Sequence, residues 1–360
     1  GGTSIMAIID KPSDYFNTKL YTGTGSSNSV TGVGFQPDFT WVKARGNTTW
    51  HYLYDAVRTA GTGKELHSNS TAAEGASNSS LYGYLSSFNS DGFSTVIGSN
   101  ASSDGLNKNG TDFASWNWKA GTSFTNDASA TGIGSIDSTG SASDTSGFSI
   151  VSYTGTGSAG TIKHGLSSVP YMIIVKKRSA TGSWNVYHSS LGNTKAIQLD
   201  LTSTPDTNSG YWNNTSPTSS VLSLGTSAQV NGSGVTYIGY IFSEKQAYSK
   251  FGSYTGNGNA DGTFVYTGQK SAFIMLKNTT RAASWLMYDN KRLGYNVDNN
   301  ELVANTNAAE ETYDQIDILS NGFKMRANGT STNLNGDTYI YMAFAENPFV
   351  ASNFNAATAR

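Results

Sequence analysis

One short pattern occurs three times in this chain. Each copy has an apolar run that ends in a Lys, then a polar turn of six or seven residues, then a Trp and a second apolar run. The copies lie at Phe35–Asp55, Tyr171–His188 and Phe273–Asp289, and their Lys and Trp residues are Lys43 and Trp50, Lys176 and Trp184, and Lys277 and Trp285. Short apolar runs separated by Gly, Ser, Thr and Asn predict a β-hairpin. The chain is therefore predicted to be a tandem array of modules, each built round one hairpin.

Two further phrases recur with the hairpin. A Tyr-Thr-Gly phrase starts at Tyr21, Tyr153 and Tyr254, which lie 22, 23 and 23 residues before the hairpin Lys. A closing phrase has apolar residues at alternate positions: Ala114, Trp116 and Trp118; Ile238, Tyr240 and Phe242; Ile340, Met342 and Phe344. Constant separations indicate three internal repeats. The alternation predicts a strand with one face turned to a core.

These patterns predict an all-β protein of tandem antiparallel β-sandwich modules. The module boundaries fall at residues 1–121, 147–249 and 250–360, and the Ser-, Thr- and Gly-rich residues 122–146 are interpreted as a linker or long exposed loop. Modules of this size can bury a core of their own, so a cut within 122–146 should leave two folded pieces. Residues 1–5 are interpreted as an added leader before a natural start at Met6, with no signal peptide.

Composition excludes several functions. The chain of 360 residues has no Cys, which excludes thiol catalysis and Cys-type zinc sites. A net charge of −2 argues against binding to nucleic acid, whose phosphates attract basic surfaces. No apolar stretch has the ~18 residues of a membrane-spanning helix. The remaining classes are soluble enzymes, binding modules and structural proteins.

The aromatic residues suggest one ligand site. Burial in a core is preferred to ligand stacking for Trp50, Trp184 and Trp285, because they occupy the same place in each module. Trp212 differs, since it follows Tyr211 and precedes Asn213 in a loop rich in Gly, Asn, Ser and Pro. An aromatic residue flanked by amides in a loop is a candidate for ligand contact.

The remaining candidates are polar. His51 and His188 lie on or beside the hairpins and are interpreted first as strand residues with satisfied hydrogen bonds, and second as ligand contacts. Asp289, Asn290 and Asp91 offer oxygen ligands for calcium, although turn residues are the preferred interpretation. The Glu-x-Asp-x-x-Glu motif of jelly-roll glucanases is absent and no other catalytic set is found. We therefore expect no enzymatic activity and no cofactor, with calcium as the one open alternative.

The repeated phrases also carry a resemblance. Through Leu20–Gly25, Gly34–Lys43, Gly252–Tyr266 and Met342–Phe349, the chain resembles a repeat-containing family common in bacteriophages and in viral sequences from marine environments, described as tail-fibre or other virion structural proteins. More distantly, the modules resemble the concanavalin A-like lectin and glucanase sandwiches, which include laminin G-like modules. The resemblance implies a jelly-roll fold and a virion component made in the host cytoplasm.

Two functions remain open at this point. One is a tail-fibre or adsorption protein that binds glycan on the host surface. The other is a capsid or tail decorating protein that contacts other virion proteins, with a glycan-degrading enzyme as a distant third. The low charge and Tyr-rich strands suit association through sandwich faces or edges. We therefore expect a homo-oligomer, with a trimer preferred.

Overall fold

The fold is built almost entirely from antiparallel β-strands. The computed structural model describes residues 9–103, 105–292, 296 and 299–350, so the proposed leader, residues 1–5, lies outside the described residues. We call residues 9–121 the first segment, 122–248 the middle segment and 249–350 the third segment. None of the helices in the described part of the chain is long and apolar enough to cross a membrane.

The strands follow one another along the chain as follows. The first segment contains β1 (Phe16–Thr22), β2 (Asn28–Thr31), β3 (Phe39–Ala44), β4 (Tyr52–Asp55), β5 (Tyr84–Asn89), β6 (Gly92–Val96) and β7 (Asp112–Trp118). The middle segment contains β8 (Thr122–Asn126), β9 (Ser138–Ser143), β10 (Phe148–Thr154), β11 (Gly160–Lys163), β12 (Met172–Lys177), β13 (Asn185–His188), β14 (Lys195–Gln198), β15 (Asp206–Thr207), β16 (Val221–Leu224) and β17 (Thr236–Phe242). The third segment contains β18 (Ser249–Thr255), β19 (Phe264–Tyr266), β20 (Gln269–Asn278), β21 (Trp285–Asp289), β22 (Asn299–Val303), β23 (Glu311–Tyr313), β24 (Ile316–Leu319), β25 (Gly322–Met325) and β26 (Thr338–Pro348).

Short helices connect some of these strands. The α-helices are α1 (Ser79–Tyr82), α2 (Ala128–Thr131), α3 (Ser209–Trp212) and α4 (Ala228–Asn231), and 3-10 turns occupy Pro12–Asp14 and Ala101–Ser103. Each α-helix has a single turn, so the helices close loops and do not form a layer of their own.

Each segment has one large and one small sheet. The large sheets have the strand orders β1-β7-β3-β4, β15-β14-β13-β12-β17-β10-β9-β8 and β18-β26-β20-β21-β22-β23, and the small sheets are β2-β6-β5, β11-β16 and β19-β25-β24. An apolar cluster lies between the two sheets of each segment. The architecture is therefore a set of β-sandwich-like units, as the alternating sequence pattern predicts.

The predicted hairpins are confirmed. β3 pairs with β4, β12 with β13, and β20 with β21, all antiparallel. In each large sheet the first strand of the hairpin also pairs with the strand of the closing phrase, which is β7, β17 or β26. The three large sheets thus share a common run of four strands in the same order.

The interpretation of residues 122–146 as a linker or exposed loop is wrong. β8 pairs with β9, and β9 pairs with β10 of the large middle sheet. Both strands consist mostly of small polar residues, which carry no apolar alternation but can still exchange backbone hydrogen bonds along a sheet. Phe124 of β8 and Ala142 of β9 pack against the core of the middle segment. This stretch extends the middle sheet to eight strands.

The three large sheets meet in one central core. Its buried side chains come from all three segments and include the alternating residues of each closing phrase. The opposite faces of the same strands contact the core inside their own sandwich; Tyr237 and Ile241 of β17 are examples. Because the hairpin and closing strands are covered on both faces, their sequences are nearly continuous apolar runs. The segments therefore do not have fully independent cores.

Candidate functional site

Hydrogen bonds across the central core explain where the hairpin Trp residues lie. The indole Nε1 of Trp184 donates to the carbonyl of His67 at 2.8 Å, and the indole Nε1 of Trp285 donates to the carbonyl of Gln198 at 2.9 Å. The first segment uses a different residue, because His51 Nε2 lies 3.0 Å from the carbonyl of Val303. The Trp184 contact thus joins the middle segment to the first, and the Trp285 contact joins the third to the middle. The His51 contact joins the first segment to the third.

His51 stands where the other two hairpins have their Trp. Tyr52 pairs with Val42 as Asn185 pairs with Val175, so His51 and Trp184 occupy the same point of their hairpins. The three hairpins connect their paired strands with the same number of residues, and Trp50 lies one residue before this position. Core burial is confirmed for Trp184 and Trp285, whereas the prediction for Trp50 is wrong: its side chain is 39% exposed.

Trp50 stands in a cleft of about 810 Å³ on the first segment. All seven Trp residues of the chain are described, and the other six are buried. The cleft is lined by Gly46, Asn47, Thr48, Thr49, Trp50, Tyr52, Ala76, Ser77, Asn78, Leu81, Tyr82, Ser102, Ser103, Gly105, Lys108 and Ala309. Most of these residues carry hydroxyl or amide groups, and Lys108 is the one formally charged residue among these lining residues.

A buried His supports Trp50, and a buried Tyr supports that His in turn. His67 meets the Trp50 ring edge-on with the centroids 4.8 Å apart, and it meets the Tyr52 ring at the same distance. The imidazole Nδ1 of His67 lies 2.6 Å from the carbonyl of His51. Burial lowers the pKa of His67 to about 4, so this ring is neutral at physiological pH. The indole is therefore held against a rigid, uncharged support.

The opposite wall depends on close packing of the backbone. A Cβ added at Gly105 would lie 2.1 Å from a ring atom of Tyr52, so only Gly leaves room for this side chain. Ser77 donates its hydroxyl to Oε1 of the buried Glu65 at 2.8 Å. Asn78 adopts a positive φ of 54° at the start of α1. This wall is built by α1 and by neighbouring loops of the first segment.

The loop predicted as a ligand site belongs to a core. Tyr211 and Trp212 are buried between the sheets of the middle segment, and the indole of Trp212 donates to the carbonyl of Lys195 at 2.9 Å. Asn213 is exposed and ends α3 in the left-handed conformation, with its backbone N–H bonded to Ser209. The prediction of Tyr211 and Trp212 as ligand contacts is wrong, because a one-turn helix folds their rings inward.

The two candidate His residues are also structural. His51 and His188 are fully buried, and His188 Nε2 lies 3.0 Å from the carbonyl of Tyr341 in the third segment. Burial, together with the charge of Lys43, lowers the pKa of His51 to about 3, and burial lowers that of His188 to about 4. Their interpretation as satisfied strand residues is confirmed, and their alternative role as ligand contacts is wrong.

The calcium candidates make contacts within the protein. Asp289 is buried and accepts from Arg292 Nε at 2.6 Å and from Trp116 Nε1 at 3.0 Å, and Asn290 is buried beside it. Burial is the largest single influence and would raise the pKa of Asp289, but the charge of Arg292 and the hydrogen bonds from Arg292 and Lys291 together outweigh it, so the pKa is lowered. Asp91 accepts the backbone N–H groups of Gly32 and Gly34. Within the described ranges, no three His, Cys, Asp or Glu residues are grouped so that they could hold a metal ion.

Sequence reasoning missed the Trp50 cleft, although one signal was present. The first hairpin alone has Trp and His adjacent, at residues 50 and 51, so its Trp follows the Lys by one residue less than in the other two hairpins. Since side chains alternate between the faces of a strand, a shift by one residue moves a side chain to the other face. Most of the remaining lining residues come from loops with no pattern of their own.

Comparison with known proteins yields one relationship. No curated protein matches the chain. Residues 11–348 match the family described as "Domain of unknown function (DUF7483)". Because the match spans nearly all of the sequence, the chain belongs to the DUF7483 family.

Proposed function

We propose that this protein is a non-enzymatic bacteriophage virion component that adsorbs to the host by binding surface glycan in the Trp50 cleft. One observation carries the proposal: the only exposed Trp stands in a concave site surrounded by hydroxyl and amide groups. An aromatic face can stack on the apolar face of a sugar ring, and a few placed polar groups then fix its orientation. The resemblance to tail-fibre proteins supports the location in the virion.

The proposal includes the finer fold. We propose that the three segments are repeats of one concanavalin-like jelly-roll sandwich, arranged about a common axis. This is supported by the shared order of four strands and by the three corresponding hydrogen bonds of Trp184, Trp285 and His51. A jelly-roll scaffold suits adsorption because its loops can vary while the sheets stay constant.

The oligomeric state is a separate part of the proposal. A homo-oligomer, preferably a trimer, stays a prediction, but the sandwich faces that were its expected contacts are covered by the other segments of the same chain. Any subunit contact would have to use loops or edges instead. Light scattering separates the cases: a mass near 38.1 kDa corresponds to a single chain.

Fluorescence quenching tests the cleft directly. Iodide should quench about one of the seven Trp residues, and this quenching should disappear in Trp50→Phe. We expect purified host surface polysaccharide to protect Trp50 from iodide, and Trp50→Ala to lose at least tenfold in affinity for it. Tyr313→Ala removes an exposed aromatic side chain outside the cleft and is the matched control. Equal binding by Trp50→Ala and the control would refute the glycan site.

Two further measurements address location and chemistry. Antibody labelling of virions viewed by electron microscopy should place the protein at the tail, whereas label over the whole capsid would favour a decorating role. The bound polysaccharide should keep its chain length after prolonged incubation. Shortened products would identify an enzyme instead.

A further inference from the structure

We infer that the chain carries a second saccharide-binding site, at the junction between the middle and third segments. A concave site of about 720 Å³ lies there, and two of its lining residues, Tyr171 and Tyr266, are exposed aromatic residues. Their exposed fractions are 38% and 58%. This site is separate from the Trp50 cleft, with which it shares no lining residue.

Comparison of the three segments shows that these aromatic residues are specific to the site. β2, β11 and β19 each place one apolar side chain in a sandwich core: Val30, Ile162 and Val265. The outward neighbours of that residue are Ser29 and Thr31 on β2, and Thr161 and Lys163 on β11, but Phe264 and Tyr266 on β19. Folding alone is thus satisfied by small or polar residues at these positions. Folding therefore does not explain why β19 exposes two large rings on one face, and we attribute them to ligand binding.

Tyr171 shows the same kind of difference. It directly precedes Met172, the first residue of β12. Met172 corresponds to Phe39 of β3 and Phe273 of β20, and the residues before these two are Asp38 and Ala272. The backbone of Tyr171 is fixed by hydrogen bonds with Phe242 and Ser189. Its exposed ring is therefore held by a rigid strand end beside the junction.

Polar groups accompany the rings. Glu244 accepts from Lys250 Nζ at 2.7 Å and from the backbone N–H of Phe251 at 3.2 Å, so its carboxylate is held in one orientation at the site. Gln246 adds an exposed amide, and Ala247 next to it has a positive φ of 62°, a conformation unusual for Ala. Carboxylate and amide groups beside exposed rings can pair with sugar hydroxyls while the rings stack.

The same features favour a saccharide over a protein partner. The centre of a protein interface is depleted in charged residues, whereas here an ion pair lines the concave site itself. A concave site with aromatic walls and a few oriented polar groups is typical of a small-ligand site. Phe264, one pleat repeat from Tyr266 on the same strand face, extends the platform for a longer glycan.

The test uses the full chain on an array of purified bacterial surface polysaccharides. The variants are the double substitution Tyr171→Ser with Tyr266→Ser, the single substitution Tyr266→Ser, Trp50→Ala, and Tyr313→Ser as the exposed-aromatic control. We expect the double variant to lose at least tenfold in binding to a set of glycans that Trp50→Ala still binds. If the double variant does not fold, Tyr266→Ser alone should lose at least threefold, since its ring is mostly exposed.

The outcomes separate this site from the Trp50 cleft. Loss only in Trp50→Ala, with the Tyr variants within twofold of the wild type, overturns the second site and leaves the first. Loss only in the Tyr variants supports the second site and refutes the first. If the Tyr variants bind glycans as the wild type does but have a different mass in light scattering, Tyr171 and Tyr266 form a self-association surface and the inference is overturned. It is also overturned if the wild-type chain binds no glycan on the array.

Discussion

Trp184 in the middle segment donates its indole N–H to the backbone carbonyl of His67 in the first segment, over 2.8 Å. His67 in turn supports Trp50, so one residue belongs both to the central core and to the wall of the cleft. The related contacts of Trp285 and His51 close a cycle through all three segments. The cleft therefore stands on a scaffold to which the whole chain contributes.

The indole hydrogen bond should contribute measurably to stability. Trp184→Phe keeps a large ring but leaves the buried carbonyl of His67 without this donor, which costs ~1–3 kcal/mol in addition to the packing loss. Trp50→Phe changes an exposed indole and should stay within about 0.5 kcal/mol of the wild type. Urea unfolding followed by circular dichroism measures both variants. Equal stability of the two would mean that the cross-segment bond is not important.

A buried ion pair in the first segment accepts a hydrogen bond from the middle segment. Arg58 Nε lies 2.6 Å from Asp55 Oδ2, and the same oxygen accepts from the hydroxyl of Tyr240 at 2.7 Å. Arg58→Met leaves Asp55 buried without its counter-charge, and we expect a loss of ~3–5 kcal/mol in the free energy of unfolding. The control is Lys11→Met, which breaks an exposed pair with Asp14 at the same sequence spacing and should cost at most ~1 kcal/mol. A small effect of Arg58→Met in urea unfolding would contradict the role of this pair.

Acid should destabilise the protein through its four His residues. Burial is the largest cause that lowers the folded-state pKa of His51 to about 3 and those of His67, His164 and His188 to about 4, from an ordinary value of 6.5. The unfolded chain therefore binds more protons between pH 6.5 and about 4. Stability is retained above pH 6.5 and is lost as the pH falls through this window, by ~1.4 kcal/mol per pH unit for each His.

A single substitution checks this assignment. His188→Gln removes one titrating group, so its stability should depend less steeply on pH between 6.5 and 4 than that of the wild type, even though its stability at pH 7 is lower. Urea unfolding at pH 7, 6 and 5 gives both slopes. Parallel curves for the variant and the wild type would show that His188 does not titrate as its burial requires.

The shared core predicts cooperative unfolding of the chain as a whole. Residues 1–146 expressed alone would expose the apolar face that β1, β3 and β7 turn to the other segments. We expect this fragment to lack a sharp thermal transition in circular dichroism, and the full chain to show one transition in calorimetry. This reverses the expectation of two folded pieces from a cut in residues 122–146. A well-folded fragment would show that the core of the first sandwich is sufficient.

The local pattern of the sequence was enough for much of the fold. Alternating apolar residues predicted the closing strands, and the Lys-to-Trp pattern predicted the hairpins β3–β4, β12–β13 and β20–β21. Both depend on a period of two residues, which any strand with a buried face must follow. The strands in residues 122–146 escaped this reasoning because they consist mostly of small polar residues and show no apolar alternation, although their backbones pair.

The site depended on contacts that no local pattern contains. Trp212 was expected in a loop and is buried, whereas Trp50 was expected in a core and is exposed. The sequence by itself determined that three hairpins with large aromatic residues would form. Only the tertiary structure decided which indole meets a carbonyl of another segment and which faces solvent, because the strand pairing places His51, and not Trp50, at the hairpin position of Trp184 and Trp285. Adjacent side chains of a strand point to opposite sides. The packing of the three large sheets against one another then determined which side of each hairpin is buried.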